Sequence, residues 1–129
     1  MPEQGLEQVV EDAVVQMIRR AVTTLPSDVS AALREAMARE TSERGRTQLK
    51  VIDEDVRISR EDRVAMCQDT GIMIFYVRVG NRFGDATFLS EVLRKAVARA
   101  TVEVPLRPNA VHPITRKNSG DNTGLGIPY

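Results

Sequence analysis

Apolar residues at Leu6, Val9, Val10, Ala13, Val14, Met17, Ile18 and Ala21 recur at three- and four-residue intervals, the repeat that lines one stripe of an α-helix. This spacing predicts a first helix, broken at Thr23-Thr24-Leu25-Pro26 because proline disfavours helical geometry in the residue before it. Ser27 can cap a second helix, with Val29, Ala32, Leu33, Ala36 and Met37 as its buried face. Gly45 permits a turn, and Leu49, Ile52 and Val56 continue the spacing in a third, shorter helix. Asp53, Glu54, Asp55, Glu61 and Asp62 alternate with arginines on its outer side, the pattern of a solvated face rather than of paired acid and base catalysts.

The period then changes. Ile72-Met73-Ile74-Phe75-Tyr76-Val77 is too continuously apolar for a half-exposed strand, and too short and β-rich for a helix. It reads as a strand buried inside a sheet. Gly80-Asn81-Arg82-Phe83-Gly84 supplies a turn and Asp85 a cap. Phe88, Leu89, Val92, Leu93, Ala96, Val97 and Ala100 then mark a fourth helix, expected to pack on the strand. The fold class is therefore α+β: a mainly helical domain, residues 1–129, with a small buried sheet following Cys67-Gln68-Asp69-Thr70-Gly71. Residues 105–129 hold four of the six prolines and three of the eight glycines, and neither period continues there, so they read as an irregular, site-forming loop segment. Such a segment at the edge of a compact domain is expected where a sequence stops short of its natural end.

Composition narrows the function classes. A chain of 129 residues suits one domain that buries roughly 65–70% of the surface its unfolded form exposes. Eighteen basic residues balance eighteen acidic ones, which leaves no long-range field to attract nucleic acid or an anionic membrane. Neither a membrane-spanning apolar run nor a basic segment leading into an apolar signal core is found, and the chain reads as cytoplasmic. A single cysteine, Cys67, cannot form an internal disulfide, so its thiol serves packing or chemistry.

The neighbours of Cys67 favour chemistry. Gln68 and Asp69 are awkward to bury, and Gly71 permits backbone geometry that a side chain obstructs. Together they describe the polar entrance of a site. A nucleophilic thiol asks for a base, and His112, the one histidine, is the only candidate partner, although nothing in the spacing brings the two together. A second polar cluster begins at Arg107 and continues through Lys117-Asn118-Ser119-Gly120-Asp121-Asn122-Thr123-Gly124. Arg107 offers a planar fork to a carboxylate, and the Asn/Ser/Gly/Asp-rich stretch offers backbone N–H groups to an anion, so both suit a small acidic molecule. Gly120, Gly124 and Gly126 match no nucleotide-binding fingerprint.

Taken in order, Cys67-Gln68-Asp69-Thr70-Gly71 with its apolar run, Arg107-Pro108-Asn109-Ala110-Val111 and Lys117-Asn118-Ser119-Gly120-Asp121-Asn122-Thr123-Gly124 resemble the α part of the class I, iron-sulfur-dependent fumarate hydratases and L-tartrate dehydratases. The resemblance extends over essentially the whole chain, including the two N-terminal helices with a proline between them. It implies a hydro-lyase that reversibly hydrates or dehydrates a small dicarboxylate, adding water to fumarate to give malate or removing it from tartrate to give oxaloacetate. It also implies a 4Fe-4S cluster held by three cysteines, with one iron left open as a Lewis acid. On that resemblance Cys67 is a cluster ligand, Gln68 and Asp69 contact substrate beside the cluster, and Arg107 pairs with a substrate carboxylate. On the same resemblance, residues 118–124 are expected to shape the site wall.

The departures matter as well. The chain has no second or third cysteine, so it is expected to be a fragment without an intact cluster and inactive alone. The remaining ligands and the catalytic base would lie outside it, in the rest of the α part and in a β subunit or C-terminal domain. His112 stands where an acidic residue is expected and receives no role. Apolar helix faces left uncovered favour a homo-oligomer. The competing reading is a non-catalytic helical interaction module in which Cys67 is a buried structural residue.

Overall fold

The computed structural model describes residues 2–124. Among these residues four helices follow one another: α1 (Pro2–Thr23), α2 (Ser27–Arg39), α3 (Glu43–Asp62) and α4 (Leu89–Glu103). The chain divides into two compact units, Arg20–Gln68 on the one hand and Met1–Arg19 with Asp69–Tyr129 on the other.

In the Arg20–Gln68 unit, α2 packs against α3. The connection is built by polar groups close in sequence. The Glu40 N–H closes α2 on the Ala36 carbonyl, and the Glu40 carboxylate accepts the Ser42 N–H at 2.7 Å. The Arg46 guanidinium donates to the Glu40 carbonyl at 2.9 Å. Ser42 then caps α3, its Oγ accepting the Gly45 N–H at 3.2 Å. Gly45 therefore lies inside the first turn of α3, which makes α3 the longer partner, with 20 residues against 13 in α2, where a shorter third helix was expected. A Cβ at Gly45 would stand 2.7 Å from the carboxyl end of the Glu40 side chain, which would have to shift to admit it. Of the face expected on α2, Leu33 and Met37 are half-buried while Val29, Ala32 and Ala36 are exposed. The charged face of α3 is solvated as its pattern suggests, with Arg57 bridging Glu54, at 2.6 Å, and Glu61.

Beyond α3 the chain is anchored before it reaches Cys67. Arg63 ends the helix in the left-handed region at φ 56°. Ser59 is buried, and its hydroxyl lies 2.5 Å from the Val64 carbonyl and 3.3 Å from that of Thr23. The Met66 N–H donates to the Val22 carbonyl at 3.1 Å, joining the end of α1 to the residue before the cysteine.

The other unit holds the apolar core: Val14, Val15 and Ile18 of α1, Val92, Ala96, Val97 and Ala100 of α4, then Val104 and Ala110. Val15 is completely buried although it lies off the expected stripe, whereas Val9 and Met17 of that stripe are 64% exposed. At the polar margin, Arg99 of α4 reaches Asp12 at 2.6 Å, Glu11 at 3.1 Å and Glu103 at 2.6 Å. Arg19 donates to the Glu103 carbonyl at 3.0 Å.

The expected sheet is not found among the described residues. Among the described residues there is no strand, only an isolated antiparallel bridge between Val111 and Asn118, and the fold is helical rather than α+β. A strand exists by pairing its backbone with another, and Ile72–Val79 finds no such partner among the described residues. Only one side of the run is covered. Met73 and Phe75 are half-buried, while Ile72, Ile74 and Tyr76 are 66%, 73% and 95% exposed, so the continuous apolar run that suggested burial on both faces is covered on one. Met73 and Phe75 line a cavity of about 370 Å³ with Leu93 and Val97 of α4. Further on, Phe83 stacks on Phe88 with ring centroids 6.2 Å apart. Asp85 accepts the Thr87 N–H at 2.8 Å rather than capping α4 itself.

Candidate active site

The residues singled out in the sequence fall on both sides of the division. Cys67 and Gln68 end the Arg20–Gln68 unit, and both are exposed. Asp69, Thr70 and Gly71 open the second stretch of the other unit, where Arg107 also lies. Within that unit the structure brings the first and second motifs together.

Asp69 folds into an Asx turn, its Oδ1 accepting the Gly71 N–H at 2.9 Å while Gly71 takes a positive φ of 74°. The same oxygen accepts from Asn109 Nδ2 at 2.8 Å. Next to it, Thr70 Oγ1 accepts the Arg107 N–H at 3.0 Å. The Arg107 carbonyl receives the Asn109 N–H at 2.8 Å in a tight turn, and Asn122 Nδ2 at 2.8 Å. The exposed Arg107 guanidinium itself makes no hydrogen bond or ion pair among the described residues. A carboxylate acceptor and a cation thus rise from one polar frame whose backbone is fixed while the cation's donors stay open.

The third motif completes this frame from behind. Asn122, 6% exposed and left-handed at φ 57°, accepts the Ala110 N–H on Oδ1 at 3.2 Å while its Nδ2 supplies Arg107. Asn118 donates to the Pro108 carbonyl at 2.6 Å. The loop's own side chains use its backbone N–H groups, Gly120 N–H going to Asn118 Oδ1 at 2.7 Å and Thr123 N–H to Asp121 Oδ1 at 3.0 Å. These two amides are committed within the loop rather than offered to an anion. The Ser119 hydroxyl holds the Asp121 carboxyl below its ordinary value, helped by the N–H and hydroxyl of Thr123 and opposed by partial burial.

His112 has a structural task. Its Nδ1 accepts the N–H groups of Ile114, at 3.2 Å, and Thr115, at 3.1 Å. Its own backbone N–H donates to the Lys117 carbonyl at 2.7 Å. The ring shapes the turn that returns the chain from Val111 to Asn118.

Sequence reasoning named Asp69 and Arg107 and gave Asn122 only a share in the site wall, and it assigned no role to Thr70 or Asn109; these three residues bind the frame together. The available signal was the type of residue: an asparagine tolerates left-handed geometry while pairing with backbone groups on both sides.

A family model described as fumarate hydratase (Fumerase) matches residues 11–128, a span that includes all three motifs and nearly every element described above. The chain belongs to the fumarate hydratase family. Relatives within that family carry two kinds of name. A provisionally named L(+)-tartrate dehydratase subunit alpha of Methanocaldococcus jannaschii is 42% identical over 93% of this chain and 43% of its own length. The L(+)-tartrate dehydratase subunit alpha of Escherichia coli (strain K12) is 34% identical over 100% of this chain and 44% of its own length. A provisionally named class I fumarate hydratase of Geobacillus stearothermophilus is 36% identical over 91% of this chain and 23% of its own length. The fumarate hydratase family chain described here therefore spans less than half the length of each of these relatives.

The donor set limits what metal chemistry these residues hold by themselves. Among the described residues no three His, Cys, Asp or Glu side chains come together to hold a metal ion, and Cys67 is the single cysteine. An exposed thiol at the end of a pinned backbone fits one corner of an iron-sulfur cluster and cannot hold the cluster alone.

Proposed function

We propose that this chain is part of the α subunit of a hydro-lyase that reversibly adds water to a small dicarboxylate, either fumarate to give malate or the corresponding tartrate reaction. The observation that carries the reading is the Arg107 frame. The backbone of Arg107 is held on both sides by Thr70 and Asn122, and its guanidinium keeps the planar fork that pairs with a carboxylate through two parallel hydrogen bonds. Such pairing fixes the substrate's orientation before any bond is made. Asp69, braced by Asn109 and Gly71, contributes an acceptor for a substrate hydroxyl, and the Gln68 amide both donates and accepts. Cys67 supplies one ligand of a 4Fe-4S cluster whose other ligands come from outside this chain. When bound, the cluster provides an open, Lewis-acidic iron. A β subunit or C-terminal domain supplies the catalytic base, and the assembled enzyme works as an oligomer in the cytoplasm.

The test uses the complete gene product with any adjacent β subunit, reconstituted anaerobically with iron and sulfide. Fumarate absorbance is followed as malate is added, and oxaloacetate is assayed as tartrate is added. Appearance of either product is the expected result. No turnover of either substrate by protein that has incorporated iron would overturn the assignment.

A further inference from the structure

We propose that Thr70 and Asn122 are positioning residues that aim Arg107 by holding its backbone on both sides of the Cα, Thr70 at the N–H and Asn122 at the carbonyl. This inference rests on the reading of Arg107 as the substrate's carboxylate anchor. Arg107 sits in a stretch with no helix or strand, between Pro105 and Pro108, so neither ladder nor helix hydrogen bonds fix its backbone. Besides the local turn in which its carbonyl takes the Asn109 N–H at 2.8 Å, the fixing is done by side chains remote in sequence. Thr70, 37 residues away, accepts the Arg107 N–H on Oγ1 at 3.0 Å, and the same hydroxyl lies 3.4 Å from the Arg107 carbonyl. Asn122, 15 residues away on the other side, donates from Nδ2 to that carbonyl at 2.8 Å. Its Oδ1 takes the Ala110 N–H at 3.2 Å, so a single buried amide holds both ends of the segment 107–110.

The geometry has a chemical consequence. A bidentate guanidinium–carboxylate pair needs its plane fixed, and an arginine on a loosely held loop spends much of its binding free energy on becoming ordered. Neither Thr70 nor Asn122 needs to touch substrate. Loss of either clamp leaves the cation in place but unaimed, which weakens substrate binding more than it slows turnover.

The experiment uses the complete, reconstituted protein and compares Thr70→Val, which keeps the shape but loses the hydroxyl, with Thr70→Ser, which keeps the hydroxyl. Thr70→Val is expected to raise KM for the dicarboxylate about tenfold with kcat changed less than about threefold, and Thr70→Ser to restore KM to within about twofold of wild type. Asn122→Asp keeps the acceptor for Ala110 but not the donor to Arg107, and gives a second reading with the same expected KM rise. In an Arg107→Ala background, Thr70→Val is expected to add less than about twofold to KM, because the group it aims is gone. Thr70→Val and Asn122→Asp proteins with wild-type KM would overturn the proposal, as would a KM rise that multiplies undiminished in the Arg107→Ala background. An Arg107→Ala enzyme with unchanged KM would instead overturn the anchor assignment itself.

Discussion

In the Arg20–Gln68 unit most of the polar contacts are short in sequence: Glu40 with Ser42, Ser42 with Gly45, Arg57 with Glu54 and Glu61. In the other unit they are long: Thr70 with Arg107, Asp69 with Asn109, Asn122 with Thr101 and Arg107. The first unit has no buried apolar side chain among its described residues, only Thr23 and Ser59, whereas the second holds the whole buried apolar set from Val14 to Ala110. The difference separates two ways of ordering a loop. A helical hairpin orders its connection through neighbours and tolerates solvent throughout. A polar site on loops needs a packed core beside it and side chains from distant positions to fix its backbone.

The largest effect that can break this comparison lies at Cys67. Replacement by alanine in the complete enzyme is expected to abolish turnover and most of the bound iron, read by iron content and activity together. Retained iron and turnover would reduce the Arg20–Gln68 unit to scaffold. Next in size is the core. Val15→Ala in the 129-residue chain is expected to cost about 2 kcal/mol in urea unfolding, because it empties a fully buried site. The half-buried Met37, changed to alanine, is expected to cost about 1 kcal/mol or less. Equal costs would mean that the two units do not differ in how they are held. Smaller and more local, Ser59→Ala removes the hydroxyl that serves the Val64 and Thr23 carbonyls, at about 1 kcal/mol. Faster amide exchange at Met66 is its expected signature.

The smallest effect is a pH dependence at Asp121. Its folded carboxyl lies below the ordinary 3.8, chiefly through the Ser119 hydroxyl. A depressed folded value contributes stability that is present above the ordinary value and is lost as pH falls through the folded one. Melting temperature should therefore fall less steeply in acid for Asp121→Asn than for the wild type, and identical acid limbs would remove Asp121 from the loop's support.

The sequence made the helices legible where apolar spacing was regular, as in α4, whose buried residues Val92, Ala96, Val97 and Ala100 lie on the stripe read from the chain. It misjudged α3, because Gly45 looks like a turn residue until the Ser42 cap and the Glu40 contact show that the helix has already begun. The sheet failed for a different reason. Hydrophobicity marks a segment that can pair, but pairing is a property of two segments, and Ile72–Val79 has no partner strand among the described residues. At the candidate site, unusual polar residues in a row exposed Asp69 and Arg107, while the bracing by Asn109 and Asn122 depends on tertiary contacts across 40 and 15 residues that no local pattern encodes.

The measurement that tests the central claim most directly is the KM of the complete enzyme for malate or tartrate after Arg107→Ala, with Arg107→Lys beside it. A guanidinium that anchors a substrate carboxylate should give a rise of about a hundredfold for alanine and a loss only partly recovered by lysine, which brings charge without the planar fork. An unchanged KM in both variants would contradict the account and leave the Thr70–Arg107–Asn122 frame as a structural brace alone.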